Sequence, residues 1–285
     1  MKAYRMFLWC GRRDLNPSSP IGMPLTNVDR DNFLAFLNMK GYNNRTIKDV
    51  IHYLEKYQFE INDPKDIICL FSKIKTAKRH VIFSVRVLLN YFETLGYDKK
   101  HLDKLRNAIP CIKSGIDLRI PSEQQILKSL DKLESAPKKY VAVYNLLLDS
   151  GLRLVESVTL INEFKEAAEI NCFFRCILGK FRGTKSAYYG HFSKGTFEQI
   201  QEVKEKIKTL NASHYFTKMG YVPSKYLRKF SFDKMIELEV PESIADFIQG
   251  RVPRRIGARH YMALARQASK FYPRYLDYVK NLRRG

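Results

Sequence analysis

Between Pro110 and Pro121 the helical spacing of apolar residues stops, and two prolines, Gly115 and scattered charges take its place. A chain of 285 residues is long enough for two cores, and this break predicts where one ends and the next begins. Upstream, Asn27 leads into Phe33, Phe36 and Leu37 at helical spacing, and Asn43 leads into Ile47, Ile51 and Leu54. A short amphipathic segment follows near 64–73, and the longest covers 77–95 and ends at Gly96. No repeated strand alternation intervenes, so 26–110 reads as a bundle of four or five helices. The first 25 residues hold Trp9, Gly11 and three prolines without sustained periodicity, as a tail would. The expected plan is therefore a tail (1–25), a helical domain (26–110), a linker (111–121) and a second domain (122–285).

In that second domain Ser122-Glu-Gln-Gln opens a helix, and 139–150 forms another, apolar at Val141, Tyr144, Leu147 and Leu148. Cys172-Phe-Phe-Arg-Cys-Ile-Leu and Ala187-Tyr-Tyr-Gly-His-Phe flank Gly183-Thr-Lys-Ser, which predicts a β-hairpin. From Thr196 onward the pattern is mostly helical. The expected fold class is mainly α with a small β-hairpin or sheet.

Composition narrows the partner. Fifty Lys and Arg face 29 Asp and Glu, a formal charge of +21. Such an excess repels itself unless a polyanion shares the surface, and nucleic acid is the commonest one. The last 35 residues, from Arg251, carry ten Lys or Arg and one acid, Asp277. An anionic membrane is the competing partner, but no apolar run reaches transmembrane length and no signal-peptide pattern is present. The expectation is a soluble intracellular, cytoplasmic protein with a nucleic-acid partner. Of five cysteines, Cys172 and Cys176 lie four apart with no second ligand pair nearby, so they are read as buried thiols rather than metal ligands.

Five short signatures follow one another in the second domain: Ser150-Gly-Leu-Arg153-Leu-Val-Glu156, Gly183-Thr-Lys185, Lys225-Tyr-Leu-Arg228, Gly250-Arg251 and Arg259-His-Tyr261. Each alone is weak. Arg153 and Glu156 at i,i+3 on a helix are most often a surface ion pair, and Lys-x-x-Arg is common in a basic chain. Their order and spacing resemble the active site of the tyrosine recombinase (phage integrase) family. Arg251 follows Arg228 by 23 residues and Tyr261 follows by ten more. Tyr272, Tyr275 and Tyr278 lie 21, 24 and 27 residues beyond Arg251, outside the family's spacing. Lys225 stands where most members have His, and Arg251 where they have His or Trp, as in integrases of archaeal fuselloviruses and plasmids.

The resemblance implies a two-domain DNA clamp, with a helical core-binding domain ahead of the catalytic one. It implies that Arg153, Arg228 and Arg251 grip the scissile phosphate, that Glu156 steadies Arg153, and that Tyr261 is the nucleophile. A hairpin lysine protonates the leaving 5′-oxygen; Lys185 is favoured, with Lys180 as the competitor. Lys225 is expected to be an electrostatic donor, since an ordinary lysine stays charged at neutral pH. No cofactor and no metal are implied. Double-stranded DNA with attachment sites is the implied partner, bound by a homotetramer at synapsis, with the helix after Tyr261 docking on a neighbouring subunit. Type IB topoisomerases share this chemistry, and a non-catalytic DNA-binding protein also accommodates the charge; both readings stay open. In the tail, Asp14-Leu-Asn-Pro17 back-translates to GATTTGAACCC, the complement of a tRNA T-arm-like stretch. Integration at a tRNA gene is one reading of it, and an unstructured basic tail is the other.

Overall fold

The computed structural model describes residues 29–57, 61–112, 115–182, 185–253 and 263–284. Expectations for the N-terminal tail, for Gly183 and Thr184, and for Tyr261 lie outside the described residues. The chain divides after Ile116 into two compact units.

The first unit holds α1 (Arg30–Met39), α2 (Asn44–Lys56), α3 (Pro64–Lys73), α4 (Lys78–Thr94) and α5 (Lys99–Ala108). Polar caps start most of them. Asp29 accepts from the Asp31 and Asn32 amides, and Asn43 from Thr46. Asp63 and Asp66 form a reciprocal capping box ahead of Pro64, whose missing N–H costs nothing in a first turn. The buried stripes follow the spacing on α1, with Phe33, Phe36 and Leu37, and on α2 at Ile47 and Ile51, where Val50 joins them. They close on α4, where Val81, Val85, Leu88, Leu89 and Phe92 are buried. Leu54 lies at the edge, packed against this core without joining it.

The second unit contains α6 (Glu123–Asp131), α7 (Lys138–Ser150), α8 (Leu154–Asn162), a sheet, then α9 (Lys194–Glu202), α10 (Thr209–Lys218), α11 (Ser224–Glu237), α12 (Glu242–Ile248) and α13 (Leu264–Leu282). α7 is buried along its whole second half, from Ala142 to Ser150, and so forms the axis of the unit. The sheet is larger than the expected hairpin. β1 (Ala168–Ile170) adds to β2 (Phe173–Arg182), which pairs antiparallel with β3 (Lys185–Phe192). Three residues of β1 carry too little alternation to be seen in sequence. Among the described residues the protein is mainly helical with this one small antiparallel sheet, and no helix is long and apolar enough to cross a membrane.

The C-terminal helix, α13, buries Tyr272, Tyr275, Leu276 and Val279 completely in its own unit's core. The Tyr272 hydroxyl donates to the Asp149 carbonyl at 3.0 Å, and the Tyr275 hydroxyl to Leu148 O at 2.6 Å. Arg283 reaches the fully buried Asp149 carboxylate at 2.6 Å. The other Asp149 oxygen accepts from the Ser193 amide and the Thr196 hydroxyl.

The cysteines among the described residues are free, and only Cys176 of the 172/176 pair is buried. Burial pushes its thiol up to about 11. Cys172 is exposed, because it precedes β2 instead of lying within it.

Candidate active site

α7 ends at Gly151 in the left-handed region, φ 60°. A Cβ there would lie 2.4 Å from Gln249 Nε2, so glycine serves both the turn and the close approach. Two residues on, Arg153 is not helical, contrary to the i,i+3 reading. With ψ 150° it is the N-cap of α8. Glu156, in the first turn, accepts from the Arg153 amide at 2.9 Å and from its Nη1 at 2.7 Å. Glu156 is buried, so this is no surface ion pair; the carboxylate fixes the arginine at both ends.

Three chain segments converge on Arg153. Its Nη1 also donates to Gly250 O at 2.9 Å. Arg228, projecting from α11, is buried and donates through Nη1 to Gly151 O at 2.7 Å and Gln249 O at 2.6 Å. Gln249 returns a bond from Nε2 to the Arg228 carbonyl at 2.9 Å. The carbonyl just before one arginine signature thus anchors the arginine of another. Arg251 donates its amide to Asp246 O at 2.8 Å, contacts Asp246 Oδ1 through Nη1 at 3.3 Å, and lies 5.0 Å over the Phe232 ring.

Burial, reinforced by the like charges of Arg153 and Arg251, pulls the Arg228 guanidinium down to about 9. It remains charged at neutral pH. Its Nη2 is buried with no hydrogen-bond partner. A buried donor without an acceptor is costly, and one that also feels the like charges of Arg153 and Arg251 is what an anion would satisfy.

β3 meets this cluster through its backbone: the Ser186 amide donates to Gly250 O at 3.3 Å. Gly250 has φ 71°, and a Cβ on it would come within 2.7 Å of Ala187 Cβ. Lys185, immediately before Ser186, opens β3 opposite Arg182 rather than standing in a turn. Lys180 lies inside β2 and pairs with Glu163 at 3.1 Å.

Lys225 is engaged elsewhere. Its ammonium lies 2.7 Å from Asp117 Oδ2, and Lys229, one helical turn on, meets the same carboxylate at 3.5 Å. Arg119 completes the set at 2.9 Å. Hydrogen bonds from Arg119 and Lys225 hold the Asp117 carboxyl well below the usual carboxylate range. Asp117 was not among the expected site residues; it sits in irregular chain with no motif around it. Gln249 was missed too, since a glutamine ahead of Gly-Arg gives no hint that both its ends will be buried.

Residues 118–278 match the archaeal phage integrase family, and the chain belongs to that family. It is therefore an integrase-type, site-specific recombinase of DNA. Among solved structures it is similar to an integrase from mycobacterium phage Brujita, at 14% identity over 86% of this chain and 91% of that one, TM-score 0.41. It is also similar to XerA recombinase, at 15% identity over 90% and 97%, TM-score 0.34. No curated protein matches.

Proposed function

We propose that this integrase cuts and rejoins DNA through a 3′-phosphotyrosyl link on Tyr261. The observation that carries the reading is Arg228 Nη2, a buried guanidinium donor without an acceptor, in the field of two other arginines. A non-bridging oxygen of the scissile phosphate fills that position, and Arg153 and Arg251 share the charge that accumulates in the transition state. Glu156 holds Arg153 in register. As the phenol of Tyr261 gives its proton to water and its oxygen bonds to phosphorus, the bond from phosphorus to the 5′-oxygen breaks. Lys185 gives the departing oxygen a proton. A 5′-hydroxyl from the partner duplex then attacks the phosphotyrosine and restores the phenol. The phosphotyrosyl bond retains the energy of the broken one, so neither ATP nor metal enters the scheme.

Lys225 acts as an additional electrostatic donor once it leaves Asp117 for DNA. Two duplexes are joined by a homotetramer, and the tail signature makes a tRNA gene the attachment site. A nicked duplex that traps the covalent intermediate tests the chemistry: an adduct is expected from the native chain and none from Tyr261→Phe. Unchanged DNA binding with no adduct from either would make the protein a binder only. Comparing the coding sequence of residues 11–17 with tRNA genes tests the targeting.

A further inference from the structure

We infer that Phe181 and Tyr188 form a stacking surface for a DNA base beside the arginine cluster, and this rests on the recombinase reading above. The two rings are 59% and 45% exposed relative to the free residue. They meet edge to face at 4.7 Å, an arrangement that leaves much of each ring open to solvent.

The strand pairing is built to bring them together. Residues directly opposite in an antiparallel pair share a face, and so do residues two apart. Phe181 is opposite Ser186, so it shares a face with Tyr188. It does so only because the register shifts between Ile177 and Lys180, where Gly179 takes φ 57°. Without that extra residue Phe181 would fall on the face of Ile177, since one residue of slip reverses every side chain.

The pair is also held at its base. Tyr188 stacks at 5.7 Å and 29° on Phe247, itself buried in α12. The amide of Ser186, opposite Phe181, donates to Gly250 O, the carbonyl that Arg153 also holds. A rigid pair of open aromatic rings is therefore one hydrogen bond away from the guanidiniums. Lys180, beside Phe181 in the chain, is paired with Glu163 at 3.1 Å, so the positive charge next to the rings is that of the arginine cluster. The occupant that offers both a flat π-face and a negative backbone is nucleic acid, and exposed aromatics interleaved with cations are how proteins hold unstacked bases.

A nicked duplex carrying 2-aminopurine next to the nick tests this by fluorescence and by titration. The native chain should alter the probe's emission on binding. Phe181→Ala should abolish that change and weaken binding by about 5- to 150-fold, the range for losing one stacked base. Its salt dependence should be unaltered, because no phosphate contact is removed. Phe181→Trp should restore the signal. Since Phe181 is mostly exposed, unfolding in urea should report an intact fold for both variants. Native affinity and emission in Phe181→Ala would overturn the inference, and so would a change confined to oligomeric state. Adduct formation on the same duplex is read in parallel. A persisting Tyr261 adduct with no aminopurine response removes the stacking surface alone, whereas loss of all DNA binding by the native chain removes both readings.

Discussion

Arg153 donates to the carbonyl of Gly250 at 2.9 Å, so the first arginine of the cluster is held by the residue that immediately precedes the third. Gly250 can make this contact because its φ of 71° and its lack of a Cβ let β3 pass against it. Gly250→Ala should therefore strike fold and site together. The left-handed backbone and the collision with Ala187 should cost about 2–4 kcal/mol in urea unfolding. Strand cleavage should fall further than stability does, because the carbonyl that anchors Arg153 moves.

The Arg228 guanidinium predicts a pH-dependent anion effect. Its pKa is depressed from its ordinary value to about 9, so between those two values the unfolded chain binds more protons and stability from this group rises with pH. Below about 9 the cost of burying the charge is fully present. Inorganic phosphate should offset that cost, raising the thermal midpoint at neutral pH in proportion to RT ln(1 + [L]/Kd). The rise should shrink as pH passes 9 and be much reduced in Arg228→Met. An equal rise in that variant would show that the anion sits elsewhere.

Asp117 competes with DNA for cations. Asp117→Asn should free Lys225 and Arg119, while Lys229 keeps its bonds to the carbonyls of 117 and 119, tightening duplex binding and steepening its salt dependence by up to about two counterions. Because the carboxyl is held below its usual range, the contact contributes at any pH above that lowered value. It is lost only as pH falls through it, so titration from pH 8 to 5 should leave the native chain's salt slope unchanged. Fluorescence titration against duplex at several salt concentrations checks both statements.

The Arg283–Asp149 pair holds α13 onto α7 from a fully buried carboxylate. Arg283→Met leaves that charge without its cation and should cost about 3–5 kcal/mol. If α13 normally sat on a neighbouring subunit, the monomer's stability would hardly change.

Much of this architecture was legible in the order of residues. The stripes of α1 and α2, the helix start at Ser122 and the glycine ending α7 are local signals, and each element formed where its signal lay. The arginine signatures were readable by spacing. What joins them was not, because Gly151 O, Gln249 and Gly250 O are brought together by packing between α7, α11 and α12. The same holds for Lys225: its position on α11 was readable, but its ion pair with Asp117 spans more than a hundred residues. The packing of the C-terminal helix was not legible either, because an amphipathic face of Tyr272, Tyr275, Leu276 and Val279 reads the same whether it fills the chain's own core, as here, or covers a neighbour.

The rival tyrosines sharpen the central test. Tyr272 and Tyr275 are fully buried with their hydroxyls engaged, and Tyr278 donates to Glu123 at 2.7 Å. Burial raises all three well above the ordinary tyrosine value, which leaves them poor nucleophiles. Reaction with a nicked suicide duplex, digestion, and mass spectrometry of the DNA-linked peptide should find the phosphodiester on Tyr261. A linkage on Tyr272, Tyr275 or Tyr278, or on no tyrosine at all, would contradict the account.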